Sequence, residues 1–394
     1  MKKLVLAYSG GLDTSYCAKS LSKQGYEVHA VSVDTGGFSD QELHDIKENA
    51  YKIGVKTYHN IKATKTYYEK IIKYLIFGNV LKNNTYPLSV SAERIIQAIE
   101  LINYAKSIKA QLIAHGSTGA GNDQVRFDMI FQILAPDIKI ITPIRDQKLT
   151  RKEEIEYLKS NGIDLSWSKA KYSINKGLWG TSVGGDETLT SQNPLPDEAY
   201  PSPLEHQGSE KLTLSFESGE LVAVNKEKDH PVKLITKLND LVSKYAIGRD
   251  IHVGDTIVGL KGRVGFEAGA ALVLIKAHHL LEKHTLSKWQ LQHKDFISSY
   301  YGMHLHEGQY LDPVMRDIEA FLKSSQKNVS GEVFVTLTPY HFKLDGIKSP
   351  HDLMNTKFGS YGEYNSGWTS NEAKGFIKLM SNAQKIYQQT NSKL

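Results

Sequence analysis

Over the first 165 residues, short β-branched runs alternate with stretches in which apolar side chains recur every three or four positions, the pattern of a parallel sheet with crossover helices. Leu4 to Ala7 reads as a buried strand and Val28 to Val33 as the next, after a helix that Gly25 ends. Ser39 and Glu42 have capping-box spacing, and Leu43, Ile46, Ala50 and Ile53 then share one helical face up to Gly54. The pattern predicts helices over Tyr67 to Phe77 and Ile95 to Ala105 and strands over Leu112 to Ala114 and Ile138 to Thr142. Thr150 with Glu153 opens a further helix that stops near Gly162. An α/β, doubly wound parallel-sheet domain over residues 1–165 is the expectation.

Beyond residue 165 the texture changes. Asn193 to Gly208 carries four of the eleven prolines and little periodicity, so it reads as a surface loop. Leu212, Leu214 and Phe216 then alternate, Gly219 marks a turn, and Leu221 to Val224 returns as the second arm of a hairpin. Asp312 with Pro313 opens a helix bearing Ile318, Phe321 and Leu322, and Val333, Val335 and Leu337 alternate again. Residues 166–358 therefore read as a second, α+β domain. In residues 359–394, Phe376, Met380, Ala383 and Tyr387 fall at helical spacing beyond the Gly-rich, aromatic segment Gly359 to Trp368, which predicts a helical arm that packs on its own domain or on a neighbouring subunit.

Composition narrows the class. With 394 residues, 40% apolar and 23% charged, the chain has the material for two globular domains and a substantial core. No apolar run spans a bilayer, and the Met-Lys-Lys start lacks a signal peptide, so no membrane partner and a cytoplasmic address are expected. A single cysteine, Cys17, excludes an intrachain disulfide and any two-thiol mechanism. The net charge of +5 comes without a block of like charges, which argues against a nucleic-acid partner. The His278-His279 and His304/His306 pairs lack metal-ligand spacing and read as structural or surface groups, and no metal ligand set is expected.

Two loops carry candidate chemistry. Ala7, Tyr8, Ser9, Gly10, Gly11, Leu12, Asp13, Thr14 and Ser15 join the first strand to the first helix, where main-chain N–H groups and a helix N-terminus converge on an anion. The glycines admit phosphate closely, and Ser9, Thr14 and Ser15 add hydroxyl donors. The segment has neither a Walker ending nor a spaced dinucleotide fingerprint. Asp13 stabilises the loop or helps hold Mg²⁺, the first being favoured. Val33, at the end of the second strand, fits an adenine pocket or simply the core. The second loop, Ala114 to Phe127, supplies the Asn122 amide, the Asp123 carboxylate and the Arg126 guanidinium, the groups an amino-acid substrate needs; taken alone it also reads as a capped turn with a surface ion pair.

Ser9 to Ser15 resembles the SGGxDS-type loop of the ATP pyrophosphatase group, which transfers AMP from ATP to an acceptor oxygen. With Thr118 to Phe127 following it, the sequence resembles the argininosuccinate synthase family. The likeness extends through Tyr86-Pro87-Leu88, Ser91, Tyr172-Ser173 and Leu178 to Ser182, and more thinly to Gly248-Arg249 and Lys261-Gly262-Arg263. It implies an ATP site at Ala7 to Ser15, Val33 and Gly116, and an aspartate site at Thr118, Asn122 and Asp123. Citrulline would be held by Tyr86, Ser91, Asn122, Arg126, Ser173 and Ser182. The implied reaction adenylylates the ureido oxygen of citrulline with MgATP, after which the aspartate amine displaces AMP, with Asp13 and Asp123 in catalytic roles. A homotetramer is implied too. The chain departs from the family at Gly254 and Phe266, where a glutamate and a tyrosine are common, at Val90 for threonine and at Ala120 for lysine. Competing readings are another AMP-forming ligase, a tRNA thiolase, which would need the paired cysteines this chain lacks, and a nucleotide-binding relative without turnover.

Overall fold

The structure is a computed structural model that describes residues 1–165, 171–355, 362 and 367–392. It divides into two compact units, Met1–Pro350 and His351–Leu394. Most of the aromatic segment expected from Gly359 lies outside the described residues.

The first unit begins with five parallel strands, β1 (Lys3–Ala7), β2 (Glu27–Asp34), β3 (Thr57–Lys62), β4 (Leu112–Ala114) and β5 (Lys139–Ile141), in the order β3-β2-β1-β4-β5. Strand alternation splits β1 between two cores: Leu4 and Leu6 face one apolar cluster, Val5 the other. The helix Leu12–Lys23 packs on the first cluster and the helix Ser89–Ser107 on the second. Both expected capping boxes form, at Ser39/Glu42 and Thr150/Glu153, and Gly54 closes its helix with φ 105°.

Three differences from the sequence pattern have physical causes. The edge strand β3 is half exposed and mixes Tyr58 and Ile61 with Asn60 and Lys62, so it carries no apolar run. The helix expected from Tyr67 starts at Thr64 and contains a π-helical stretch over Tyr68–Ile72, which keeps Tyr68, Ile71 and Ile72 all buried. The helix expected from Ile95 starts at Ser89, because its first turns bury small polar residues that hide its apolar period; Leu88 enters it at φ 61°.

Two antiparallel sheets complete the unit. One contains β6 (Ser173–Gly177), β7 (Gly180–Gly184), β11 (Arg249–Asp255) and β12 (Lys261–Glu267) in the order β11-β12-β7-β6. The other contains β8 (Glu210–Glu217), β9 (Glu220–Val224), β10 (Glu227–Lys228), β13 (Gly331–Thr338) and β14 (His341–Lys348) in the order β10-β9-β8-β13-β14. Helices Pro231–Ser243 and Gly269–Thr285 pack on the second of these sheets, and helices Lys288–His306 and Pro313–Ser325 pack on each other and on helices of the first part of the chain. The parallel sheet and the β6–β7 hairpin are tied together by Leu178 N–H donating to Thr35 O at 3.0 Å and Trp179 Nε1 donating to Pro87 O at 2.9 Å. These ties hold β6 and β7 over the carboxyl edge of the parallel sheet.

The second unit holds helices Ser370–Met380 and Asn382–Asn391, broken at Ser381, where one continuous apolar period was expected. No helix among the described residues is long and apolar enough to cross a membrane.

Candidate active site

A cleft of about 1060 Å³ opens between the carboxyl edge of the parallel sheet and the sheet containing β11, β12, β7 and β6. One end is the loop after β1. Gly11 precedes the helix Leu12–Lys23 without a side-chain cap, so the first-turn N–H groups stay open to an anion. Ser9 Oγ and Thr14 Oγ1 lie 3.3 Å apart, and Thr14 Oγ1 donates to Gly11 O. Ala7, Tyr8, Ser9, Gly11, Leu12, Asp13 and Thr14 line the cleft. Gly10 stands behind them at φ 79°, where an added Cβ would lie 2.8 Å from Ile46 Cγ1. Ser15, expected as a donor, is instead fully buried; one turn into the helix its side chain has rotated toward the core.

Val33 lines the same space with Val31, Leu101 and Phe127, an apolar wall suited to a flat heterocycle. Gly116 brings the second loop against the first, its virtual Cβ 3.2 Å from Asp13 Cβ. His115 Nδ1 accepts from Ser117 N–H at 3.2 Å, its Nε2 lies 2.8 Å from Asp128, and Arg145 holds Asp128 from the other side. That chain of bonds fixes the backbone around Gly116.

At the middle of the cleft stands Asp123. Arg94 Nε donates to its Oδ2 at 2.9 Å and Arg126 Nη1 to its Oδ1 at 2.8 Å. Burial works to raise this carboxyl, but the two guanidiniums outweigh it and hold it below the ordinary carboxylate range. A carboxylate has about four acceptor sites, so Asp123 retains capacity for an ammonium. Asn122 accepts from Ile257 N–H at 2.8 Å across the cleft, and its helix Asp123–Leu134 also starts without a side-chain cap. Thr118 and Gly121 line the wall beside it.

Tyr86, Ser91, Arg126, Ser173 and Ser182 line the remaining wall. Tyr86 and Ser91 are buried at 4% and 5% exposure. Ser182 reaches the wall because β7 pairs it with Asn175 on one side and Phe266 on the other. The expected ATP, aspartate and citrulline residues thus share one cavity, Gly10 and Ser15 excepted. Phe266 is fully buried against Tyr86 at 5.3 Å, while Gly254 lines the cleft.

Sequence reasoning missed several contributors. Arg94 follows the buried Glu93, which accepts from Thr35 Oγ1 and Arg94 Nη1 at 2.8 Å each. Burial pushes the Glu93 carboxyl up to about 7 against the pull of Arg94. Arg151 and Lys176 add positive charge to the lining, and His252 and His306 close its far corner. The one usable signal was the Glu93-Arg94 pair just before the apolar Ile95-Ile96 run, because buried charges are paired when they occur.

A parallel sheet with an anion loop and an apolar heterocycle wall at its carboxyl edge defines a nucleotide-binding α/β protein of the doubly wound class. Residues 3–164 match the model of the arginosuccinate synthase N-terminal HUP domain, and residues 172–387 match that of the arginosuccinate synthase C-terminal domain. Argininosuccinate synthase of Methanocaldococcus jannaschii is 39% identical over 91% of each chain. That of Xanthomonas axonopodis is 37% identical over 99% of this chain and 95% of its own length. That of Dehalococcoides mccartyi is 39% identical over 98% and 96%. The chain belongs to the argininosuccinate synthase family, a family of ATP-dependent ligases.

Proposed function

We propose that the cleft carries out the reaction that gives the family its name, joining a citrulline-type ureido group to aspartate with conversion of ATP to AMP and diphosphate. The observation that carries this is the meeting, in one cavity, of an open helix N-terminus at the phosphate loop with a doubly braced Asp123. The triphosphate takes the open N–H groups of the loop, aided by Arg151 and Lys176, and the base lies on Val31 and Val33. The ureido oxygen attacks the α-phosphorus in line and diphosphate leaves. The aspartate amine, oriented by Asp123, then attacks the activated ureido carbon and AMP departs. Asn122 serves both amino acids and Arg126 the citrulline, so positioning supplies much of the rate and no protein nucleophile is needed.

Mg²⁺ is proposed to enter with ATP, coordinated mainly by phosphate and water. Asp13, which lines the cleft beside the phosphate loop, is the carboxylate that would reach such an ion. Diphosphate release should require citrulline and increase with aspartate; release indifferent to both would overturn the reading, and release dependent on tRNA would favour a thiolase.

Cytoplasmic action and a homotetramer belong to the same proposal. Phe376, Ile377, Leu379, Met380, Ile386 and Tyr387 are each more than 60% exposed on the two C-terminal helices, an apolar surface that a subunit contact would cover. The mass in solution should be that of a tetramer and should fall on Ile377→Asp with Leu379→Asp; an unchanged mass removes the helices from the contact.

A further inference from the structure

The corner of the cleft at β11 is lined by Tyr86, His252, Gly254 and His306. His252 is 5% exposed, and among the described residues neither of its ring nitrogens has a hydrogen-bond partner. Its ring stacks on Tyr86 at 5.1 Å. Gly254, two residues along the same face of β11, leaves room for that ring: a Cβ at 254 would lie 2.6 Å from His252 Nε2. An imidazole buried with both nitrogens unsatisfied is costly unless a ligand completes it.

The electrostatics select the ligand. Burial, then the Lys82 ammonium, lower the His252 pKa, so the ring is neutral near pH 7 and offers one donor and one acceptor. His306 is pushed down to about 3 by burial and by Arg126, whose Nη2 lies 3.3 Å from His306 Nδ1. Each carboxylate lining the cleft already has a partner or a place in the loop. Glu42 caps its own helix, Glu93 and Asp123 are tied to arginines, Asp13 belongs to the phosphate loop, and Asp255 pairs with Lys261 at 2.5 Å. The corner thus combines neutral imidazoles with Arg126, which Asp123 holds, and Lys82, which Asp255 and Glu307 face. An ammonium brought there would be desolvated beside two cations, with the nearby carboxylates Asp123, Asp255 and Glu307 already facing those cations.

We propose that this corner recognises the α-nitrogen of the ureido substrate as an amide, making Nα-acylated citrulline the preferred acceptor. The proposal rests on the reading of the cleft as the site that joins a citrulline-type acceptor to aspartate. The acceptor nitrogen of His252 takes the amide N–H, its N–H reaches the acyl carbonyl, and Arg126 faces the α-carboxylate. The bonds made and broken at the ureido group are unchanged, and the product is Nα-acyl-argininosuccinate.

The test uses the purified full chain with ATP and aspartate, measuring diphosphate release and product mass with L-citrulline, Nα-acetyl-L-citrulline and Nα-succinyl-L-citrulline. The last brings a second carboxylate toward Lys82. At least one acylated substrate should exceed citrulline in kcat/KM by roughly tenfold, the effect of one well-made buried hydrogen bond and one avoided buried charge. Equal use, or preference for free citrulline, overturns the inference and leaves the proposed reaction standing. Turnover with none of the three overturns the reaction itself. His252→Ala should reduce the ratio of acylated to free substrate use, and combining it with Gly254→Glu, which sets a carboxylate in the vacated space, should invert that ratio. The KM for ATP checks that both variants fold, and a ratio unmoved in folded protein removes His252 from the subsite.

Discussion

At the phosphate loop, Ser9 to Thr14 present backbone N–H groups and hydroxyls over a stretch continuous in sequence, whereas at the other end of the cleft Tyr86, Ser173, Ser182, His252 and His306 arrive from separate segments. The loop end is made by the backbone, and its chemistry depends on the shape of a turn. The far end is made by side chains on strands and helices, and its chemistry depends on which residues those elements carry. Between them Asp123 belongs to both kinds: it opens a helix next to the second loop, yet it is held by Arg94 and Arg126 from its sides. A backbone-built site accepts change in side chains and resists change in φ and ψ; a side-chain-built site does the reverse, which is how specificity can shift while the chemistry stays put.

The largest effect is expected where the two kinds of construction join. Asp123→Asn keeps the shape and removes the charge, leaving Arg94 and Arg126 buried against a neutral amide. Aspartate-dependent turnover should fall on the order of 10²-fold, the cost of losing the group that positions the attacking amine. The KM for ATP should change far less. Equal losses in both would mean that Asp123 supports the whole cleft, and the contrast between its ends would fail.

Next comes the turn itself. Gly10→Ala places a Cβ in a left-handed conformation and 2.8 Å from Ile46 Cγ1. The strain is about 2 kcal/mol, so the KM for ATP should rise roughly 10- to 100-fold. Ser9→Ala, which touches only a side chain in the same loop, should cost less. If the two variants were equal, measured as KM for ATP, the loop end would depend on side chains as much as the far end does.

The same contrast explains what the sequence revealed. The first domain was legible because β1 and β2 are buried on both faces and because Ser39/Glu42 and Thr150/Glu153 announce their helices locally. The loop from Ser9 was legible because a contiguous string binds through contiguous N–H groups. Strands β11 and β12 were not: in β11 the alternating apolar residues Ile251 and Val253 lie on the more exposed face while His252 and Gly254 are the buried ones, and in β12 glycines and charges interrupt Val264 and Phe266. Arg94 was hidden for a related reason. Its partners Asp123 and Asn175 lie 29 and 81 residues away, and only the fold brings them to one point. His252 reads as an ordinary strand residue in the sequence; in the fold its ring is buried beside Gly254 with no hydrogen-bond partner among the described residues.

The smallest effect tests a buried side chain behind the loop end. Glu154 is 2% exposed behind Asp13. Burial first, then the charge of Asp13, raise its carboxyl from 4.5 to about 8. Native Glu154 therefore keeps a proton that the unfolded chain has already lost above its ordinary value. The sign follows: its contribution to stability is complete below about 4.5 and is lost as the pH rises through about 8. Glu154→Gln cannot ionise, so its stability relative to the parent should grow over that window and level off above it, measured by denaturant unfolding at a series of pH values. The parent alone should also show a few-fold rise in KM for ATP on the alkaline side, where a second carboxylate next to the loop opposes the triphosphate. A parent and variant with parallel profiles would leave the loop end built by backbone alone. A divergence that grows from about pH 4.5 and levels off above about 8 would add Glu154 to it, and would place the pH sensitivity of ATP binding in a residue that touches neither ATP nor the loop's own backbone.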